Sequence, residues 1–212
     1  MKLERGTAKP RRYIQGARAQ AAAATAQRIV DAFLARLMNQ WFDEITLDGV
    51  AEDAGVTVQT LVRRFGSKQG LLAESVKTLT TQINARRASP PGDIGRLVGH
   101  LVADYEQTGD AVIRLLALEA RHPALGTVIE FGRAEHRKWV AEVFAGALDA
   151  LDVGARRRAL DALVVTTDVY VWKLLRRDMA RTVGAATAIM KGLIRATIAD
   201  FSQSTSPGDG QR

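Results

Sequence analysis

The chain has 212 residues, 47% hydrophobic and 25% charged, an ordinary balance for one or two folded domains. Cysteine is absent, which excludes disulfides, thiolate metal ligands and a cysteine nucleophile and suits a reducing cytoplasm. No apolar run approaches the roughly 18 residues that span a bilayer, no signal peptide is visible, and a net charge of +7 admits an anionic partner.

Residues 1–17 read as a flexible basic arm. Lys2, Arg5, Lys9, Arg11 and Arg12 stand against Glu4 alone, with Arg18 following. Such an arm either solubilises the chain or adds sequence-independent attraction to phosphates. Nearly every long segment after it carries helical period, with no useful strand alternation. Helix 1 is expected from Arg18 to Gln40, with Ile29, Val30, Phe33, Leu34, Leu37 and Trp41 on one face. Thr46 caps a short helix bearing Leu47, Val50, Ala51 and Ala54, and Gly55 ends it in the left-handed conformation glycine tolerates. Thr57 caps another, Val58 to about Phe65. Two short helices around Gly55-Val56-Thr57 make a helix-turn-helix, with helix 1 as the third wall of its small core.

Ser67 caps helix 4, striped with Leu71, Leu72, Val76, Leu79 and Ile83. Ser89-Pro90-Pro91-Gly92 stops it, because proline lacks a donor and clashes with the preceding turn. Helix 5 begins after Asp93 and closes at Gly109. Helix 6 runs from Asp110 to Ala120, and Pro123 opens the next, reaching about Leu151. Helix 8 covers Gly154 to Arg177 and helix 9 Val183 to Phe201. Residues 203–212 are expected to be a disordered tail.

Helices 8 and 9 are apolar on more than one face. On helix 8, Leu160, Leu163, Val164, Val171, Leu174 and Leu175 form one stripe; Ala162, Val165, Val169 and Trp172 form another, turned away. On helix 9, Ala185, Ala188, Gly192, Ala196 and Ala199 make a small-residue stripe beside Met190, Leu193, Ile194 and Ile198. A monomer's surface helix needs one such face. Either a larger internal core covers the second faces or a homodimer does, through Leu163, Val171, Leu174, Ala185, Ala188, Gly192, Ala196 and Ala199.

The stretch from Phe33 and Trp41 through Thr46, Gly49, Ala51, Gly55, Val56 and Thr57 to Thr60, Leu61, Phe65, Gly66, Ser67, Lys68, Gly70, Leu71 and Leu72 resembles the DNA-binding domain of TetR-family transcriptional regulators. The resemblance covers residues 20–72; beyond them only the architecture matches. It implies an all-α fold of about nine helices: residues 18–66 as the DNA-binding domain and 67–202 as a helical effector-binding and dimerisation domain. It implies that Thr57 to Arg64 is the recognition helix, lying in the major groove, and that Thr46 and Lys68 hold phosphates. Thr57, Val58, Gln59, Thr60, Arg63 and Arg64 are the groove candidates. Arg suits guanine O6/N7 and Gln suits adenine N6/N7, both by paired bonds. Two residues depart from the family pattern. Val62 stands where an aromatic, often Tyr, is usual and cannot give a hydroxyl bond to phosphate; Arg64 stands where His is common and adds a charge.

Other chemistry finds no support. His100, His122 and His136 match no metal-ligand spacing, and no nucleophile turn or phosphate-binding loop occurs. The resemblance implies an effector site in the second domain, mostly apolar with few polar anchors. Tyr105, Leu115, Leu118, Phe131, Trp139 and Trp172 are the large side chains expected there, with Glu119 and His122 as polar anchors or, equally, as a cap and a salt bridge. The expected function is a cytoplasmic, ligand-released repressor of a palindromic operator. The alternative is a non-specific or architectural nucleic-acid binder of the same fold, and a helical enzyme or carrier follows.

Overall fold

The computed structural model describes residues 10–90 and 92–203. Among these residues every regular element is helical. Helix α1 spans Pro10–Leu37, so residues 10–17 are helical and do not belong to a flexible arm. Pro10 fits a first turn, and the alanine-rich run from Ala17 to Ala26 has the highest helix propensity available. Residues 1–9 lie outside the described residues, as do residues 204–212 of the expected tail.

Helix α2 spans Leu47–Ala54, α3 Val58–Phe65 and α4 Lys68–Arg86. Ile29, Phe33 and Leu37 of α1 bury themselves against Ile45, Val50, Leu61, Leu71 and Leu72. This core does not stop at the helix-turn-helix. Leu118, Leu125, Val128 and Ile129, from farther along the chain, belong to it. Arg114 reinforces the junction, donating from Nη2 to the carbonyls of Leu37 (3.2 Å) and Met38 (2.7 Å), where α1 ends.

Helix α5 spans Ile94–Ala117 without interruption, merging the two helices expected on either side of Gly109. Gly109 is not a stop. A Cβ there would come within 2.4 Å of the Trp172 ring, so the missing side chain is the space into which that ring packs. Pro123–Leu125 form a single 3₁₀ turn leading into α6, Gly126–Val143. Phe144 bends the chain, and α7 is one turn, Ala145–Leu148, so the expected helix to Leu151 is divided.

Helix α8 spans Val153–Thr167 and breaks at Asp168, whose ψ of 150° is extended. Asp168 then caps α9, Val169–Lys173, by accepting from the Tyr170 N–H at 2.8 Å. A π-type turn follows over Leu174–Asp178. The single expected helix 8 is therefore broken, and the break rephases its faces. Val169, Trp172 and Leu175 turn into the protomer's own core, so they do not form the outward stripe that a continuous helix would give; Leu174 faces out. Glu106 ties this segment to α5, accepting from Trp172 Nε1 (2.7 Å) and Arg176 Nε (2.6 Å). Helix α10 spans Val183–Gln203 and contributes Ala186, Met190 and Ile194 to a second core with Leu97, Leu101, Tyr105, Trp139 and Leu163. No helix among the described residues is long and apolar enough to cross a membrane.

Candidate nucleic-acid interface

The local chemistry of α2 and α3 follows the sequence closely. The Thr46 hydroxyl accepts from the Gly49 N–H (3.2 Å) and starts α2. Gly55, at φ 64°, ends it, its N–H pointing at the carbonyls of Ala51 and Glu52. The Thr57 hydroxyl accepts from the Thr60 N–H (3.2 Å) and lies 3.0 Å from the Thr60 hydroxyl. Leu61 is the one buried residue of α3. It anchors the helix to the core while Gln59, Val62, Arg63 and Arg64 stay exposed and Val58 and Thr60 are half-buried. Gln59 and Arg63, one turn apart, share a face.

Two other arginines of the region are spent on structure. Arg28 Nε donates to the Ala54 carbonyl (3.3 Å) at the end of α2. Arg36 donates to Asp53 Oδ2 (2.6 Å) and to the Gly49 carbonyl (3.0 Å); the guanidinium occupies the place where a Cβ on Gly49 would go. Hydrogen bonding to Arg36 holds the Asp53 carboxyl below its usual range. Lys68, in the first turn of α4, places Nζ 3.2 Å from the Asp43 carbonyl and 4.5 Å from the centre of the Phe42 ring. It thus fixes the loop before α2, and burial lowers its pKa.

Residues 35–75, which contain this whole arrangement, match the family described as bacterial regulatory proteins, tetR family. That stretch is similar to the DNA-binding part of TetR-family regulators. Solved structures agree in fold. A protein of Pseudomonas aeruginosa PAO1 described as a transcriptional regulator shares 17% identity at a TM-score of 0.65, covering 85% of this chain and 93% of its own. A TetR-family regulator described from Mesorhizobium loti MAFF303099 shares 17% at 0.57, covering 86% and 97%. The flavonoid-responsive regulator FrrA shares 18% at 0.52, covering 87% and 98%. No curated protein matches by sequence.

Behind the helix-turn-helix, the chain holds a cavity of about 410 Å³ between α1, α4, α5, α6 and the α8–α9 junction. Of the residues expected to line an effector site, Tyr105, Leu115 and Trp139 do so. Leu118 instead packs in the core of the first helices. Trp172 is fully buried over Gly109. Glu119 is bound by Arg133 through two 2.7 Å bonds, which hold its carboxyl low. Phe131 and His122 are not among the lining residues.

Sequence reasoning missed the polar end of the cavity. Arg87, the C-cap of α4, is 5% exposed and lies over the rings of Tyr105 (4.8 Å) and Trp139 (5.3 Å). His136 stacks on Trp139 at 5.7 Å between centres, and its Nε2 lies 3.2 Å from the Thr167 hydroxyl. Burial, with the Arg87 charge adding to it, pushes His136 down to about 4, so it is neutral at pH 7. Burial pushes the Tyr105 phenol up to about 12, so it stays a donor, to the Thr167 carbonyl at 2.9 Å. The one available signal was the spacing of His136 and Trp139, one helical turn apart.

Proposed function

We propose that the protein is a homodimeric repressor of a palindromic operator, released by a small molecule bound in the cavity, and that it acts in the cytoplasm. The carrying observation is α3: a helix anchored by buried Leu61 and half-buried Phe65, with Gln59, Arg63 and Arg64 free of intramolecular duties and presented outward. In a dimer two such helices read half-sites about 34–36 Å apart, or a small multiple of that. Thr46, Thr57 and Lys68 add phosphate contacts. Their own hydrogen bonds leave donors to spare, since an ammonium carries three and a hydroxyl one. Val62, 40% exposed, offers a thymine methyl an apolar contact in place of the missing phosphate bond.

The dimer reading rests on an apolar face with no intramolecular cover. Ala188, Gly192, Ala196 and Ala199 of α10 are exposed beside Ile189 and Leu193, the latter 43% exposed, with Val165 of α8 at 63%. Leu174 is exposed as well, and Ala185 is half-buried. Two residues leave the expected interface: Leu163 is buried in its own core and Val171 packs against that core. A helical pair of this kind closes by two-fold symmetry into a four-helix seam. Residues 18–66 then act as the DNA-binding unit and 67–202 as the effector-binding and dimerisation unit. The structural likeness to a flavonoid-responsive regulator supports a response to ligand.

The test of this function is retention of an operator fragment by the dimer at about 0.15 M salt against random duplex. A specificity ratio of 10³ or more supports it; a ratio near one favours a non-specific binder.

A further inference from the structure

The cavity has a direction. Val76, Leu79, Thr80, Ile83, Asn84 and Arg87 all line it, a single face of α4. At 1.5 Å per residue that face is about 16 Å long. Its first end is lined by aliphatic side chains, Leu37 from α1, Leu115 from α5 and Ile129 from α6 among them. Its last end holds Arg87, Tyr105, His136 and Trp139.

Arg87 brings a buried guanidinium to that last end. Asp104, 1% exposed and behind the cavity wall, accepts from Arg86 (2.9 and 2.5 Å) and from Arg87 (Nε 2.9 Å, Nη2 2.7 Å). Two guanidiniums thus share one carboxylate. Asp104 takes only some of the five N–H donors of Arg87, which is buried and lines the cavity, so the guanidinium keeps donors for an acceptor there. The other charged lining groups carry both signs, Glu135 and Asp168 against Arg133 and Arg137. Asp168 Oδ1 caps α9. Arg133 is bound by Glu119 and Glu130 and Arg137 by Asp161, and Glu135 lies with them on α6. His136 beside Arg87 is neutral and adds a hydrogen-bonding ring without charge.

We propose that the cavity takes an elongated amphiphile with a single carboxylate, its head at Arg87 and its apolar body running along α4 toward Leu37 and Leu115. This rests on the reading of the cavity as the effector site.

The probe is dodecanoate, with dodecanol and dodecyltrimethylammonium as neutral and cationic counterparts. Each is titrated into the full-length protein below its micelle concentration at pH 7.5, with heat and tryptophan emission followed. Dodecanoate binds at least tenfold more tightly than dodecanol, and the cation more weakly than both. Shortening the acid to hexanoate costs a further tenfold or more. Arg87→Gln loses the preference for the acid while keeping dodecanol affinity. Should that variant fail to fold, Ile83→Trp, which fills the shaft without touching the ion cluster, abolishes binding of both. Equal binding of dodecanol, preference for the cation, or dodecanoate binding that survives Ile83→Trp each overturns the proposal. Operator release is read separately. Selective dodecanoate binding without release keeps the ligand class and rejects the effector role. Release by another compound, with no preference for dodecanoate, does the reverse.

Discussion

His136 makes stability depend on pH in a window where few other groups titrate. Its pKa falls from 6.5 in the unfolded chain to about 4 in the folded protein, through burial first and the Arg87 charge second. Between those values the unfolded chain binds the proton more strongly, so the contribution is fully present above pH 6.5 and is lost as pH falls through 4. The full difference is about 3.4 kcal/mol at 1.36 kcal/mol per tenfold, of which about 2 kcal/mol disappears between pH 7.5 and 5. The carboxylates Glu106, Asp110 and Glu119, held low by arginine bonds, lose their share mainly below that window. Burial raises Asp168, so its contribution has the opposite sign, present at low pH and lost as pH rises. It is common to wild type and variant and cancels between them. Urea unfolding at fixed protein concentration, wild type against His136→Gln, isolates the effect. The wild-type curve falls about 2 kcal/mol more than the variant's from pH 7.5 to 5. Parallel curves would refute the reasoning.

Three further outcomes follow from particular contacts. Arg114→Ala removes two charge-assisted bonds to the end of α1 and lowers unfolding free energy by about 2–4 kcal/mol; a loss under about 0.5 kcal/mol in urea titration contradicts the junction described here. Gly109→Ala drives a methyl into the Trp172 ring and costs about 1–3 kcal/mol, with a shift in tryptophan emission; an unchanged midpoint and spectrum would show the ring free to move. Gly192→Asp places charge on the exposed small-residue face of α10 and yields monomers in sedimentation with helical content kept, whereas a monomer fraction equal to wild type would remove that face from the interface.

The helix-turn-helix was legible because its signals are local. Thr46, Gly55, Thr57 and Ser67 each act on residues within one turn, and every one caps or ends the helix it was expected to. The α8–α9 break was not legible because distant groups hold it. The Thr167 hydroxyl bonds back to the Leu163 carbonyl, while Tyr105 and His136 grip the same residue from α5 and α6, and Asp168 caps forward. Gly109 carried an ambiguous signal: glycine ends helices and also admits close packing, and only the position of Trp172 decides which. The cavity was half legible. Tyr105 and Trp139 were among the large side chains expected there, while Phe131 and Trp172 do not line it, and the role of Arg87 depends on Asp104, a carboxylate from the next helix already shared with Arg86.

The central claim is sequence-specific reading by α3. The most direct measurement is selection of the full-length protein against random duplexes at about 0.15 M salt, with Arg63→Ala/Arg64→Ala alongside. The wild type enriches a palindrome with half-sites one helical turn or a small multiple apart, and the double variant enriches nothing. Binding without any enriched sequence, or an identical palindrome from both proteins, would contradict it.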